Sequence, residues 1–116
     1  MCIASAGAPD MIRLAMEHCG IASYFKGIVS CKDVGKGKEE PDVYLAAMKL
    51  LNTTKEETAV VEDSFVALRT AHDLGLPTVG FYDFYSYDQD KIRETVDIYI
   101  ADGEGMDKLI GLVHKK

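Results

Sequence analysis

Short apolar runs alternate with longer stretches of helical period along almost the whole chain, and this alternation limits the fold more than any other feature. "MCIAS" reads as a strand. "APDMIRLAMEHCG" follows as a helix, with Pro9 suited to its first position and Gly20 to its stop. Met11, Ile12, Ala15, Met16 and Cys19 share one face of it. "KGIVS" is the next strand, and "CKDVGKGKEE" reads as a polar, glycine-containing loop. "PDVYLAAMKLLN" opens on Pro41 and sets Tyr44, Leu45, Met48 and Leu51 at helical spacing. "TAVVE" is the strongest strand, reading as buried. "SFVALRTAHDLG" is a helix with Ser64 near its cap, Ala67, Leu68, Ala71 and Leu74 inward, and Gly75 at its end. "PTVGF" and "DIYIA" are strands on either side of a short polar helix, "DQDKIRETV". "GMDKLIGLV" closes the pattern with Met106, Leu109, Ile110 and Val113 on one face. Mostly apolar strands separated by helices predict an α/β fold, a parallel sheet covered by helices on both sides.

The 116 residues suit a single domain, 1–116, with no linker or repeat to divide it. At 47% hydrophobic and 28% charged, the composition is that of an ordinary globular protein rather than a disordered one. A formal charge of −6 argues against nonspecific nucleic-acid binding, and the lysines at 32, 36 and 38 are followed at once by acids. No apolar run approaches the roughly 20 residues of a membrane helix, so no membrane partner is expected. Cys2, Cys19 and Cys31 are odd in number and lack CxxC spacing. With charged residues interrupting the first apolar stretch, a reducing cytoplasm is the expected location. His18, His72 and His114 are scattered and read as surface or boundary residues.

Ligands of open parallel sheets bind beyond the carboxyl ends of the strands. Those ends hold Ser5, the loop after Ser30, the pair Glu62–Asp63, and the "FYD" after Val79. In "SAGAP", Ser5 offers a hydroxyl, Ala6 and Gly7 permit close approach to the backbone, and the following helix N-terminus favours an anion. A plain strand–helix turn uses the same small residues. Glu62 and Asp63 can serve one site only if the chain turns there, because successive side chains of a strand point to opposite faces. Two hard oxygen ligands suit Mg²⁺. The other reading has one acid capping the next helix and its neighbour solvated. Lys38, three residues before Pro41, is a loop cation that an anion at Ser5 would want, with Lys36 its rival by position.

The order of these groups resembles the haloacid dehalogenase (HAD) superfamily, in the branch of phosphoglycolate phosphatases and β-phosphoglucomutases. A serine follows the first strand, G-K-G-K-x-x-P-D-V-Y opens a helix, and V-V-E-D-S precedes the next. The resemblance runs from Cys2 to about Val113. It is most specific in "YFKGIVSCKDVGKGKEEPDVYLAAMKLLN" and "VVEDSFVALRTAHDLGLPTVGF". It implies a three-layer α/β/α Rossmann-like core and Mg²⁺-dependent phosphoryl transfer from a small phosphorylated metabolite through an aspartyl-phosphate. Ser5, with Ala6 beside it, would bind the transferring phosphoryl group. Lys38 would balance the charge of nucleophile and phosphate. Glu62 and Asp63 would hold Mg²⁺, directly or through water. Such chemistry is mostly positioning and electrostatic stabilisation.

Relatives of this kind begin with a D-x-D-G-T loop that supplies the nucleophile and the general acid–base, and they insert a helical cap that selects substrates. Neither is found in this chain, which starts at what would be the second core strand. "DQD", Asp88 to Asp90, matches D-x-D by letters only and reads as capping or solvated. Glu39 and Glu40 stand where small residues or proline are usual, and Ala67 where glycine is common. The expectation is therefore an incomplete HAD core, inactive alone and weak in Mg²⁺ affinity. A second copy or a missing N-terminal segment would complete its sheet. The alternative is a non-catalytic module that retains an anion pocket or mediates assembly. A receiver-domain reading is disfavoured, because the acid cluster expected after its first strand is missing.

Overall fold

A computed structural model of the chain describes residues 1–83 and 88–105. They fall into two compact units, Met1–Thr54 and Lys55–Lys116.

The first unit is built on two parallel strands, β1 (Ile3–Ser5) and β2 (Ile28–Ser30), in the register Ile3↔Ile28, Ala4↔Val29, Ser5↔Ser30. The connection between them carries α1 (Pro9–His18) and a 3₁₀ turn, Ala22–Tyr24. Pro9 opens α1, and Gly20, at φ 73°, follows its C-cap Cys19 as the expected stop. The apolar face expected of this helix is not a buried one. Met16 alone is buried, Ala15 and Cys19 are exposed, and Met11 and Leu14 are 67% and 61% exposed. The helix packs chiefly on β2 and on the turn that follows it, and two short strands cover little of a helix.

The segment expected to be a loop after β2 contains a short helix, α2 (Cys31–Val34). Ser30 caps it by accepting from the Lys32 N–H at 3.1 Å, and Gly35 ends it in the left-handed region at φ 75°. Four residues are too few to show a periodic pattern, so only the caps could betray it. The next helix, α3 (Asp42–Leu51), packs on β1, β2 and α2. It buries Val43, Tyr44, Ala47 and Met48, while Leu45, expected on the inner face, points to solvent. Apolar residues lie nearly all round this helix, so spacing alone could not choose which stripe faces the strands.

The second unit is a three-stranded parallel sheet in the order β3-β4-β5, from Val60–Glu62, Thr78–Phe81 and Ile98–Ile100. Helix α4 (Phe65–Asp73) packs on β3 and β4, and α5 (Gln89–Thr95) on α4 and β5. Ala67, Leu68 and Ala71 of α4 meet Ile92, Val79, Leu76 and Ile100 in the buried core. Ser64 occupies the N-cap of α4 without a side-chain capping bond. β4 is buried along Thr78–Gly80, as its apolar sequence requires, and its one buried hydroxyl is satisfied. The Thr78 N–H donates to Asp97 Oδ2 at 2.8 Å, and the Asp97 N–H donates back to Thr78 Oγ1 at 3.2 Å. β3 departs from expectation. Among the described residues it pairs with β4 alone, and Val61 is 44% exposed, so the strongest strand of the sequence is half solvated. Among the described residues β1 likewise pairs with a single neighbour, β2. The closing helix expected from Met106 lies outside the described residues.

Gly80 is where sheet and helices meet most closely. A β-carbon there would lie 2.6 Å from Ile92 Cγ2, 3.0 Å from Val96 Cγ1 and 3.2 Å from Leu68 Cδ1. Gly80→Ala should therefore destabilise the second unit by about 1–3 kcal/mol, the usual cost of overpacking. Urea denaturation followed by circular dichroism checks this, and an unchanged midpoint would show that the α5 contact yields freely.

Candidate functional site

In the first unit, Ser5 ends β1 half-exposed, with Ala6 and Gly7 exposed beside it and α1 beginning two residues on. Ser5 Oγ accepts a hydrogen bond from the Gly7 N–H at 3.0 Å, which folds the loop into a tight turn. That bond occupies an oxygen lone pair and leaves the hydroxyl proton available to an acceptor. Ala8, at the N-cap of α1, supplies no side-chain capping bond, so the first amides of this ten-residue helix are not capped by it. Asp10 in the first turn already meets part of the helix dipole and is a charge any anion there must share. Lys38 is half-buried in the segment between α2 and α3, whereas its rival Lys36 is exposed. Glu39 and Glu40 are exposed, and the Glu39 carboxylate folds back over Gly37.

In the second unit, β3 ends at Glu62, and Asp63 and Ser64 form the turn into α4. The required turn is present, and the two acids stay together. The Asp63 N–H donates to Glu62 Oε1 at 3.1 Å. The hydrogen bond with the Glu62 side chain holds the Asp63 carboxyl above its ordinary range, helped by burial and by the charge of Glu62. Hydrogen bonds to Asp83 and to its own backbone pull the other way. Two half-buried carboxylates, one of which hinders the ionisation of the other, form a donor set whose crowding a divalent cation would relieve. As a seat for Mg²⁺ the set is partial: among the described residues no group of three or more His, Cys, Asp or Glu side chains is arranged to hold a metal.

Two residues outside the sequence-derived set belong to these neighbourhoods. Asp83, beyond the end of β4, shares a hydrogen bond with Asp63; its place after a strand was visible, but nothing in "FYD" marked it as an acid facing Asp63. Ser30 is fully buried and donates to the Gly7 carbonyl at 2.9 Å. The only sequence signal for it was a small polar residue at a strand end. By contrast, "DQD" takes the solvated role expected of it, with no side-chain capping bond from Asp88. Asp88 stands at the N-cap of α5, is exposed, and lies 3.7 Å from Lys91 Nζ. His18 and His72 are exposed, as expected, and His114 lies outside the described residues.

The family model "Haloacid dehalogenase-like hydrolase" matches residues 1–81. The chain belongs to the haloacid dehalogenase-like hydrolases. Within that family it falls with the phosphoglycolate phosphatase and β-phosphoglucomutase branch. It is 27% identical over 99 residues to the phosphoglycolate phosphatase of Salmonella paratyphi A, covering 85% of this chain and 39% of that protein. It is 29% identical over 76 residues to the β-phosphoglucomutase of Bacillus subtilis, covering 66% of this chain and 32% of that one. Among solved structures, a conserved haloacid dehalogenase-like protein from Agrobacterium tumefaciens superimposes with a TM-score of 0.80 at 21% identity, over 98% of this chain and 54% of its own. A hydrolase from Pseudomonas syringae gives 0.72 at 24%, over 97% and 51%. The chain thus spans well under half the length of these curated relatives and about half that of the solved chains.

Because folding raises the Asp63 pKa, the folded state binds that proton more tightly than the unfolded state, and ionising it weakens the fold. The penalty is absent below the ordinary carboxylate range and grows as pH rises through the raised value. Asp63→Asn should therefore raise the melting temperature at pH 7, with the gain shrinking toward pH 4. Thermal melts of both proteins at the two pH values test this; an equal difference at both would mean that the crowding with Glu62 has no energetic weight.

Proposed function

We propose that this chain is the C-terminal core portion of a Mg²⁺-dependent phosphatase or phosphomutase that acts on a small phosphomonoester through an aspartyl-phosphate. In this reading Ser5, with the backbone at Ala6, hydrogen-bonds the phosphoryl oxygens, and Lys38 offsets their charge. Glu62 and Asp63 hold Mg²⁺, which when bound neutralises phosphate charge and orients the phosphoryl group. The observation that carries the reading is the acid pair at the end of β3, held together by the strand-to-helix turn, with the Asp63 carboxyl raised above its ordinary range by its neighbour. The relatives named above support the choice of phosphoryl transfer over other chemistry.

The nucleophile is not among these residues. No D-x-D-G-T occurs in the 116 residues, and no base stands beside Ser5 in the described hydrogen bonds to activate it in place of an aspartate. The chain alone is therefore inactive and binds Mg²⁺ weakly. Among the described residues β1 and β3 each pair along one edge, and the other edges are where a strand from an N-terminal segment or from a second copy would pair.

Hydrolysis of p-nitrophenyl phosphate with Mg²⁺ tests the proposal. The 116-residue chain should show no turnover above buffer, whereas a protein joining it to an upstream D-x-D-G-T segment should turn over. In that longer protein Asp63→Asn and Ser5→Ala should each lower kcat/KM by roughly a hundredfold, the scale of losing one aimed electrostatic partner. Efficient turnover by the short chain would refute the requirement for the aspartate, and unaffected variants would refute the assigned roles.

A further inference from the structure

We infer that Ser30 is a positioning residue that sets the direction of the Ser5 hydroxyl by clamping Gly7; this rests on the anion-binding reading of Ser5. Ser5 and Ser30 are register partners at the carboxyl ends of neighbouring parallel strands. They differ in one respect that matters: Ser5 is half-exposed, and Ser30 is fully buried. Gly7 joins them. Its N–H donates to Ser5 Oγ at 3.0 Å, and its carbonyl accepts from Ser30 Oγ at 2.9 Å.

The bonding at Ser30 fixes which way its proton points. Its oxygen already accepts from the Lys32 N–H at 3.1 Å, so its single O–H is committed to the Gly7 carbonyl. With that carbonyl held, the backbone at Gly7 cannot turn freely, although glycine would otherwise permit it. The Gly7 N–H therefore stays on Ser5 Oγ and holds the outward direction of the Ser5 proton. The same Ser30 oxygen starts α2, the helix that leads through Gly35 toward Lys38. One buried hydroxyl thus fixes both the loop that presents Ser5 and the start of the segment that presents Lys38. A capping role alone needs only an acceptor at position 30. The clamp needs a donor as well, and this difference makes the inference testable.

The experiment uses the 116-residue chain and its variants Ser30→Ala, Ser30→Thr, Ser5→Ala and the Ser5→Ala/Ser30→Ala pair. Amide hydrogen exchange read by NMR should speed at Gly7 by about tenfold in Ser30→Ala, beyond any change at the buried Ile92 amide, the scale of one lost hydrogen bond. Ser30→Thr, which keeps the hydroxyl, should restore it. Inorganic phosphate titrated against the Ala6 and Gly7 resonances should bind about tenfold more weakly to Ser30→Ala, and the effect should vanish in the Ser5→Ala background. If Ser30→Ala does not fold, Ser30→Cys, of similar size but a weak donor, makes the same comparison. An unchanged Gly7 exchange rate in the folded variant overturns the clamp whatever phosphate does. A faster Gly7 with no phosphate response in any protein upholds the clamp and overturns the anion-binding reading of Ser5 instead. Additive losses in the paired variant would show that Ser30 does not act through Ser5.

Discussion

In-register parallel pairing of very short strands is the constraint on which the rest of this structure depends. β1, β2, β3 and β5 have three residues each and β4 four, so every ladder rests on a handful of backbone bonds. Side chains alternate with a period of two, and a slip of one residue would send each to the opposite face. Register therefore decides which polar groups stand at the carboxyl ends. The pairing Ser5↔Ser30 puts two hydroxyls on adjacent strand ends, and Glu62↔Gly80 leaves the glutamate beside a residue with no side chain. The helices that follow are what keep such short ladders from fraying, and Gly80 shows how closely they must approach to do so.

From that constraint follow two kinds of polar neighbourhood with opposite electrostatics. Around Ser5 the groups are neutral and hydrogen-bonded in sequence, from Lys32 N–H through Ser30 and Gly7 to Ser5. The chain is directional: Ser30 both receives and gives, and Ser5 at its end receives, with its own proton left to donate. Around Asp63 the groups are acids, and the bond with Glu62 holds the Asp63 carboxyl above its ordinary range. In the first arrangement Ser30 has both its donor and its acceptor bonds. The second leaves Asp63 costly to ionise.

How much of this could be read from the sequence varies residue by residue. The class of fold, the order of elements, and helix ends at Pro9, Gly20 and Gly75 were legible because capping and breaking chemistry is local. The burial of Ala67, Leu68 and Ala71 was legible because α4 has polar residues on its other face. The exposure of Leu45, Met11 and Val61 was not, since each depends on how many strands lie beneath, a property of the sheet rather than of the segment. Helix α2 escaped notice because a single turn has no period. Ser5 and the acid pair were found as groups at strand ends, and family resemblance then gave them roles. Ser30 and Asp83 were missed because their importance lies in bonds to Gly7 and Asp63, distant in sequence.

The half-solvated β3 has a consequence for the molecule's life in solution. Among the described residues one of its edges is paired and the other is not, and an unpaired edge flanked by an exposed valine is the sort of template to which other strands add. Glu62 stands next to that valine, and a charge at such a position is a feature that disfavours stacking of strands. The acid that raises its neighbour's pKa is thus also a charge placed beside that edge.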